Sequence, residues 1–124
     1  MKKIVTKNAP AAIGPYSQGI EHNGIIYVSG QLPLDPVTGA FPEGDVAVLT
    51  KQSMNNISAI LEEAGSSIDK ILKTTIFVQD LADFGIVNEA YGEFFGENAP
   101  ARACVQVAAL PKGAKLEIEA IAYK

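Results

Sequence analysis

One arginine, one cysteine and two closely spaced glutamates are the side chains of this sequence with the most chemistry to offer. The guanidinium of Arg102 is a planar fork that takes a carboxylate through two parallel hydrogen bonds. No other arginine exists in the 124 residues, so any site that needs a guanidinium must use this one. The plainer reading is an ion pair with Glu117 or Glu119 on a neighbouring strand. Those two glutamates project from one strand face about 6–7 Å apart. Such a pair serves as acid and base, or as a solvated, salt-bridged surface. Cys104 is a nucleophile only if a base or a cation lowers its pKa. Nothing in the sequence brings His22, the single histidine, near it. Between Ala103 and Val105 it also reads as a small core residue. Tyr16 and Ser29 flank loops, and Ser29-Gly30 closes a strand where backbone N–H groups can meet a ligand.

The elements that must position these groups are legible from periodicity. Lys2 to Thr6 reads as a short edge strand, and residues 8–17, with two prolines and a glycine, as an ordered loop. Ile20–His22, Asn23-Gly24 and Ile25–Ser29 form a hairpin, because Asn-Gly accepts the left-handed turn that twisted strands require. Gly30 to Gly44 is a loop. From Asp45, apolar residues recur at helical spacing (Val46, Leu49, Ile57, Ile60, Leu61, Ala64), which predicts about five turns, capped by Asp45 and stopped by Gly65. Ile71–Val78 is β-branched and reads as a strand. Asp83 is the expected N-cap of a second helix carrying Phe84, Val87, Tyr91, Phe94 and Phe95 and ending near Gly96. Ala101–Ala108 and Lys115–Tyr123 are the last strands, joined by a turn at Pro111-Lys112-Gly113.

The order β-β-β-α-β-α-β-β implies an α+β fold: one domain over 1–124, with about six strands in a mixed sheet and two helices on one face. Alternation places Leu116, Ile118, Ala120 and Ala122 against the helices, together with Leu72, Thr74, Ile76 and Val78. The same reasoning assigns Ala103, Val105 and Val107 to the helix side and Arg102, Cys104 and Gln106 to the other. That second face mixes polar and apolar groups, as surfaces between subunits do.

Composition excludes several classes. One cysteine forms no internal disulfide, and one cysteine with one histidine closes no Cys/His zinc site. No apolar run reaches the roughly 18 residues of a membrane helix. The basic start, Met1-Lys2-Lys3, lacks the long apolar stretch of a signal peptide, so the expected compartment is the cytoplasm. Fourteen acidic residues against ten basic ones, with the lysines scattered, argue against a nucleic-acid partner.

Motifs along almost the whole chain resemble the Rid family, the reactive-intermediate deaminases formerly called YjgF proteins. They are Ala9-Pro10-Ala11-Ala12-Ile13-Gly14-Pro15-Tyr16-Ser17-Gln18-Gly19, Val28-Ser29-Gly30-Gln31, Val87-Asn88, Pro100-Ala101-Arg102-Ala103-Cys104-Val105 and Leu116-Glu117-Ile118-Glu119-Ala120. The Arg, Cys and Glu positions are similar to those of its RidA-type branch. The resemblance implies a chorismate-mutase-like fold and a homotrimer with clefts between subunits. It implies a cofactor-independent imine hydrolase that turns 2-iminobutanoate and 2-iminopropanoate, released by pyridoxal-phosphate dehydratases, into 2-keto acids and ammonia. It carries roles residue by residue. Arg102 would grip the substrate carboxylate. The backbone at Cys104 would bond the substrate, so that its thiol need not react. Glu117 would direct the attacking water. Tyr16, Ser29, Gly30 and Asn88 would line the cleft, with Pro111 on a nearby loop. No metal is implied. The chain departs from the family pattern at Ala103, Gln106 and Ala109, where Ser, Glu and Arg are common, which weakens the case for any second anion site. Other relatives are described as ribonucleases or translation inhibitors. A non-catalytic, ligand-binding regulatory trimer is the third reading.

Overall fold

The structure is a computed structural model that describes residues 1–124. Its elements are β1 (Lys2–Ile4), β2 (Gly19–His22), β3 (Ile25–Gln31), α1 (Val46–Glu63), β4 (Ile71–Val78), α2 (Phe84–Gly92), β5 (Ala101–Gln106) and β6 (Leu116–Tyr123). The six strands form one sheet in the order β1-β2-β3-β6-β4-β5. Every neighbouring pair is antiparallel except β4 with β5, which run parallel because α2 carries the chain across. The expected α+β order and mixed sheet are therefore found.

Local chemistry accounts for most boundaries. Asn23 and Gly24 both take positive φ and turn the β2–β3 hairpin. The Asp45 carboxylate accepts from the N–H groups of Ala47 and Val48, which leaves α1 capped as expected. The apolar stripe of α1 then buries Leu49, Met54, Ile57, Ile60 and Leu61 against Ile26, Val28, Ile118, Ala120 and Ala122 of the sheet. A side chain such as Ile57, fully buried, contributes about 1.5–3 kcal/mol of transfer free energy.

Three expectations fail near α2 and β3. Asp83 does not cap α2. The chain already turns through a 3₁₀ segment at Leu81–Asp83, so Asp83 is helical rather than extended and its carboxylate makes no cap bond; Asp80 accepts from Ala82 instead. The helix ends at Gly92, and Phe94 and Phe95 follow it on turn-like bonds to Tyr91 and Gly92. Gly30 and Gln31 are not loop but the end of β3. One extra residue between Val28 and Gln31 makes a bulge against β6, and pairing resumes at Gln31 with Ile118.

Leu72, expected against the helices, is instead 46% exposed, because a register shift between Ile71 and Lys73 takes it out of the alternation. The face that β5 turns to the helices is the opposite of the one expected. Residues paired across neighbouring strands point to the same side. Arg102 pairs with Thr74, Cys104 with Ile76 and Gln106 with Val78, and Thr74, Ile76 and Val78 are buried beneath the helices. Arg102 and Cys104 thus lie on the helix side, while Ala103 and Val105 join Phe77, Glu117, Glu119, Ile121 and Tyr123 on the open side. No element of the chain covers that open face. Tyr27 (49%), Val105 (44%) and Tyr123 (43%) remain largely exposed on it.

Candidate active site

The sequence-derived site residues fall into two groups. The first surrounds a cleft of about 580 Å³ lined by Tyr16, Ser29, Gly30, Pro111, Glu117 and Glu119 among others. Its walls come from distant parts of the chain. The loop bearing Tyr16 is tied down by Gln18, which is 3% exposed. The Gln18 amide accepts from the Thr6 N–H (2.7 Å) and donates to the carbonyls of Thr6 (3.1 Å) and Pro10 (2.8 Å). Ser29 donates its hydroxyl to the Ser17 carbonyl and its N–H to that of Gln18. These bonds hold the proline-rich loop against β3. Gln18 lies within the signature motif, and its role as the tie of this loop becomes visible only in the structure.

Glu117 rests directly on Gly30. A methyl group built on Gly30 would lie 2.7 Å from the Glu117 carboxyl carbon and 3.1 Å from its Cγ. Only a residue without Cβ lets the carboxylate cross the bulge this closely. Burial, and secondarily the charge of Glu119 on the same face, push the Glu117 carboxyl above the usual carboxylate range. A partly buried carboxylate of raised pKa takes and returns a proton more readily than an ordinary one at neutral pH. Pro111 sits in a 3₁₀ turn with Lys112 at positive φ, which brings Lys112 to the same cleft.

The second group is Arg102 with Asn88 and Cys104. Arg102 Nη1 donates to Asn88 Oδ1 at 2.6 Å. Its Cζ lies 5.5 Å from the Phe84 ring centroid and 5.3 Å from that of Tyr91. The anticipated ion pair with Glu117 or Glu119 does not form. The ion pairs of the chain are Lys51–Glu93 and Lys124–Glu21, so Arg102 has no carboxylate partner. Cys104 packs against the core, and its burial raises the thiol pKa despite the opposing charge of Arg102. A protonated thiol is a poor nucleophile. His22 lies four strands away, roughly 19 Å across the sheet, and cannot serve as its base.

The two groups do not meet within one chain. Glu117 is on the open face of β6 and Arg102 on the helix face of β5, with β4 between them. Two strand spacings across and three residues along give a backbone separation of about 14 Å. Phe84 and Tyr91 are additional neighbours of Arg102. The sequence offered one signal for them, since positions 84, 88 and 91 share a helix stripe.

A family model described as Endoribonuclease L-PSP matches residues 6–124. The 2-iminobutanoate/2-iminopropanoate deaminase of Salmonella typhimurium (strain LT2) is 55% identical over 126 residues, covering 99% of this chain and 98% of that protein. A RutC family protein of Pyrococcus horikoshii is 49% identical over 125 residues, covering 100% of this chain and 99% of that one. Among solved structures, E. coli TdcF with bound serine superposes with a TM-score of 0.95 at 48% identity, covering 100% of this chain and 99% of that one. With the fold, the motifs and these full-length matches in agreement, the chain belongs to the Rid (YjgF/RidA) family.

Proposed function

We propose that this protein hydrolyses 2-imino acids and their enamine tautomers to 2-keto acids and ammonia, with 2-iminobutanoate and 2-iminopropanoate as substrates. The observation that carries the reading is the one guanidinium of the chain, left without a carboxylate partner. Support comes from Glu117, seated on Gly30 in a cleft, and from the 55% identical relative named for this activity.

In this reading Arg102 holds the substrate carboxylate. The imine carbon is already electrophilic, so the remaining task is to aim a water and move protons. Ionised Glu117 takes a proton from water as the oxygen bonds to C2 of the protonated imine, giving a tetrahedral amino alcohol. The same carboxyl then delivers that proton to the nitrogen. The C–N bond breaks, ammonia departs, and the C2 hydroxyl passes its proton to the Glu117 carboxylate to leave the keto acid; that proton leaves with the ammonia as ammonium. One water is consumed and no electrons change hands. Tyr16, Ser29 and Pro111 wall the cleft around Glu117, and Asn88 steadies Arg102.

The working unit is a homotrimer with a site at each seam. A four-carbon substrate cannot span about 14 Å through a packed sheet, so Arg102 of one copy would serve Glu117 of another. The uncovered face bearing Tyr27, Val105 and Tyr123 is suited to such packing. Light scattering at micromolar concentration reads the mass, and a monomer there refutes this part.

The activity is tested by generating the imine with a threonine dehydratase in the presence of semicarbazide. The protein should outcompete the trap, and Arg102→Ala should not. Failure of the wild-type chain to compete overturns the proposal. The description of the family model favours a second reading, cleavage of RNA. The cleft opposes it, because Glu117 and Glu119 repel phosphates and Lys112 is the one cation lining it. Tight RNA binding that weakens steeply with salt would restore it.

A further inference from the structure

We infer that α2 positions Arg102: Phe84, Asn88 and Tyr91, backed by Thr74, hold the guanidinium in place so that its free N–H groups meet a ligand carboxylate already oriented. The inference rests on the reading of Arg102 as carboxylate anchor. Positions 84, 88 and 91 are one stripe of the helix. Phe84 and Tyr91 bring a ring within 5.5 Å and 5.3 Å of the guanidinium carbon, and Asn88 takes one hydrogen bond at 2.6 Å. A guanidinium has five N–H donors. With one used, enough remain for a bidentate carboxylate.

The clamp is braced against the sheet. The Tyr91 hydroxyl and Thr74 Oγ1 are hydrogen bonded at 2.7 Å in the interior. Thr74 is the residue on β4 that pairs with Arg102 on β5. The ring beside the guanidinium is therefore tied to the strand next to the arginine's own. Aromatic rings and an amide restrain the cation without cancelling its charge, which a carboxylate neighbour would do. Arg102 stands on the edge strand and is exposed, and its long side chain has many rotamers to lose on binding. Holding it beforehand removes ordering entropy that binding would have to overcome.

Because the chain has one arginine, its spectrum holds one arginine Nε–Hε signal. That signal, in ¹⁵N-labelled protein, should be displaced by the ring currents of Phe84 and Tyr91. Phe84 is at the surface, so Phe84→Leu leaves the core intact. In this variant the signal should move toward that of free arginine. The Kd for 2-oxobutanoate, measured by calorimetry, should rise about three- to tenfold, the affinity equivalent of releasing one long side chain. The KM for the imine should rise by the same factor with kcat little changed, and Phe84→Tyr should restore all three. The factor should be the same for 2-oxopropanoate and for longer keto acids.

An unmoved signal with unchanged Kd overturns the inference. So does a loss that grows with ligand chain length, which would make Phe84 a wall of a side-chain pocket. If the wild type binds the keto acid but turns over no imine, the proposed activity falls and the Phe84→Leu comparison still judges the clamp. If it binds no keto acid at all, both fall.

Discussion

Replacing Gly30 by alanine isolates the seat of Glu117. The new methyl would lie 2.7 Å from the carboxyl carbon, where ordinary carbon contacts need about 3.5–4.0 Å. The carboxylate must therefore retreat by about 1 Å. Gly30 does not have positive φ, so alanine meets no backbone penalty and the effect belongs to that one contact. Crowding of a tightly packed interior costs about 1–3 kcal/mol, and the half-buried Glu117 can swing toward the open cleft, which favours the lower end. A displacement of about 1 Å at a reacting group costs on the order of 10²-fold in rate, within the 10²–10⁴ that acid–base catalysis supplies. Gly30→Ala should thus lose about 10²-fold in kcat, keep the KM set by Arg102, and unfold within about 5 °C of the wild type. Steady-state kinetics with enzymatically generated imine and a thermal melt measure both. The decisive comparison is the double variant. In a Glu117→Gln background, Gly30→Ala should cost nothing further, since both changes disable one group. A full additional loss there, or a wild-type kcat in the single variant, would refute the argument that Gly30 acts through Glu117.

Other consequences follow from the same geometry. Glu117→Gln should raise the melting temperature at neutral pH. A carboxyl raised in the folded state binds more protons there than when unfolded, so stability falls as pH rises from the ordinary carboxylate range through the raised value. The difference between the two melts should vanish below about pH 4, and a constant offset at all pH values would disprove the linkage. Glu119→Gln removes a neighbouring negative charge, so the acidic limb of the kcat/KM profile should move to lower pH; an unmoved limb means that Glu119 does not act on Glu117. Gln18→Ala deletes the buried amide that ties Thr6, Ala9 and Pro10 together, leaving backbone groups unpaired at about 1–3 kcal/mol each. Denaturant unfolding should show a loss of that order, with faster amide exchange over the Tyr16 loop. Cys104→Ala should retain most activity, because partial burial raises the thiol pKa and keeps it protonated; abolition of turnover in a folded variant would make the thiol a reactant.

The parts of the fold that were legible in the sequence are those whose causes lie within a few residues. The Asn23-Gly24 turn, the Asp45 cap, the stripe of α1 and the alternation of Leu116, Ile118, Ala120 and Ala122 are local matters of dihedral preference, capping and period. The motifs likewise point to Arg102, Glu117 and their companions without reference to any contact. What stayed hidden depends on partners distant in sequence. The side to which Arg102 points is set by the pairing of β5 with β4, and a slip of one residue would exchange its two faces. Asp83 lost its cap because the preceding 3₁₀ turn had already made it helical. The bulge that lets Glu117 rest on Gly30 exists only where β3 meets β6. The amino-acid sequence by itself determined which groups the chemistry has at its disposal: one guanidinium, one thiol and two neighbouring carboxylates. Only the tertiary structure decided that the guanidinium and Glu117 face opposite sides of one sheet, because facing is a property of strand register and register is fixed between strands rather than along them.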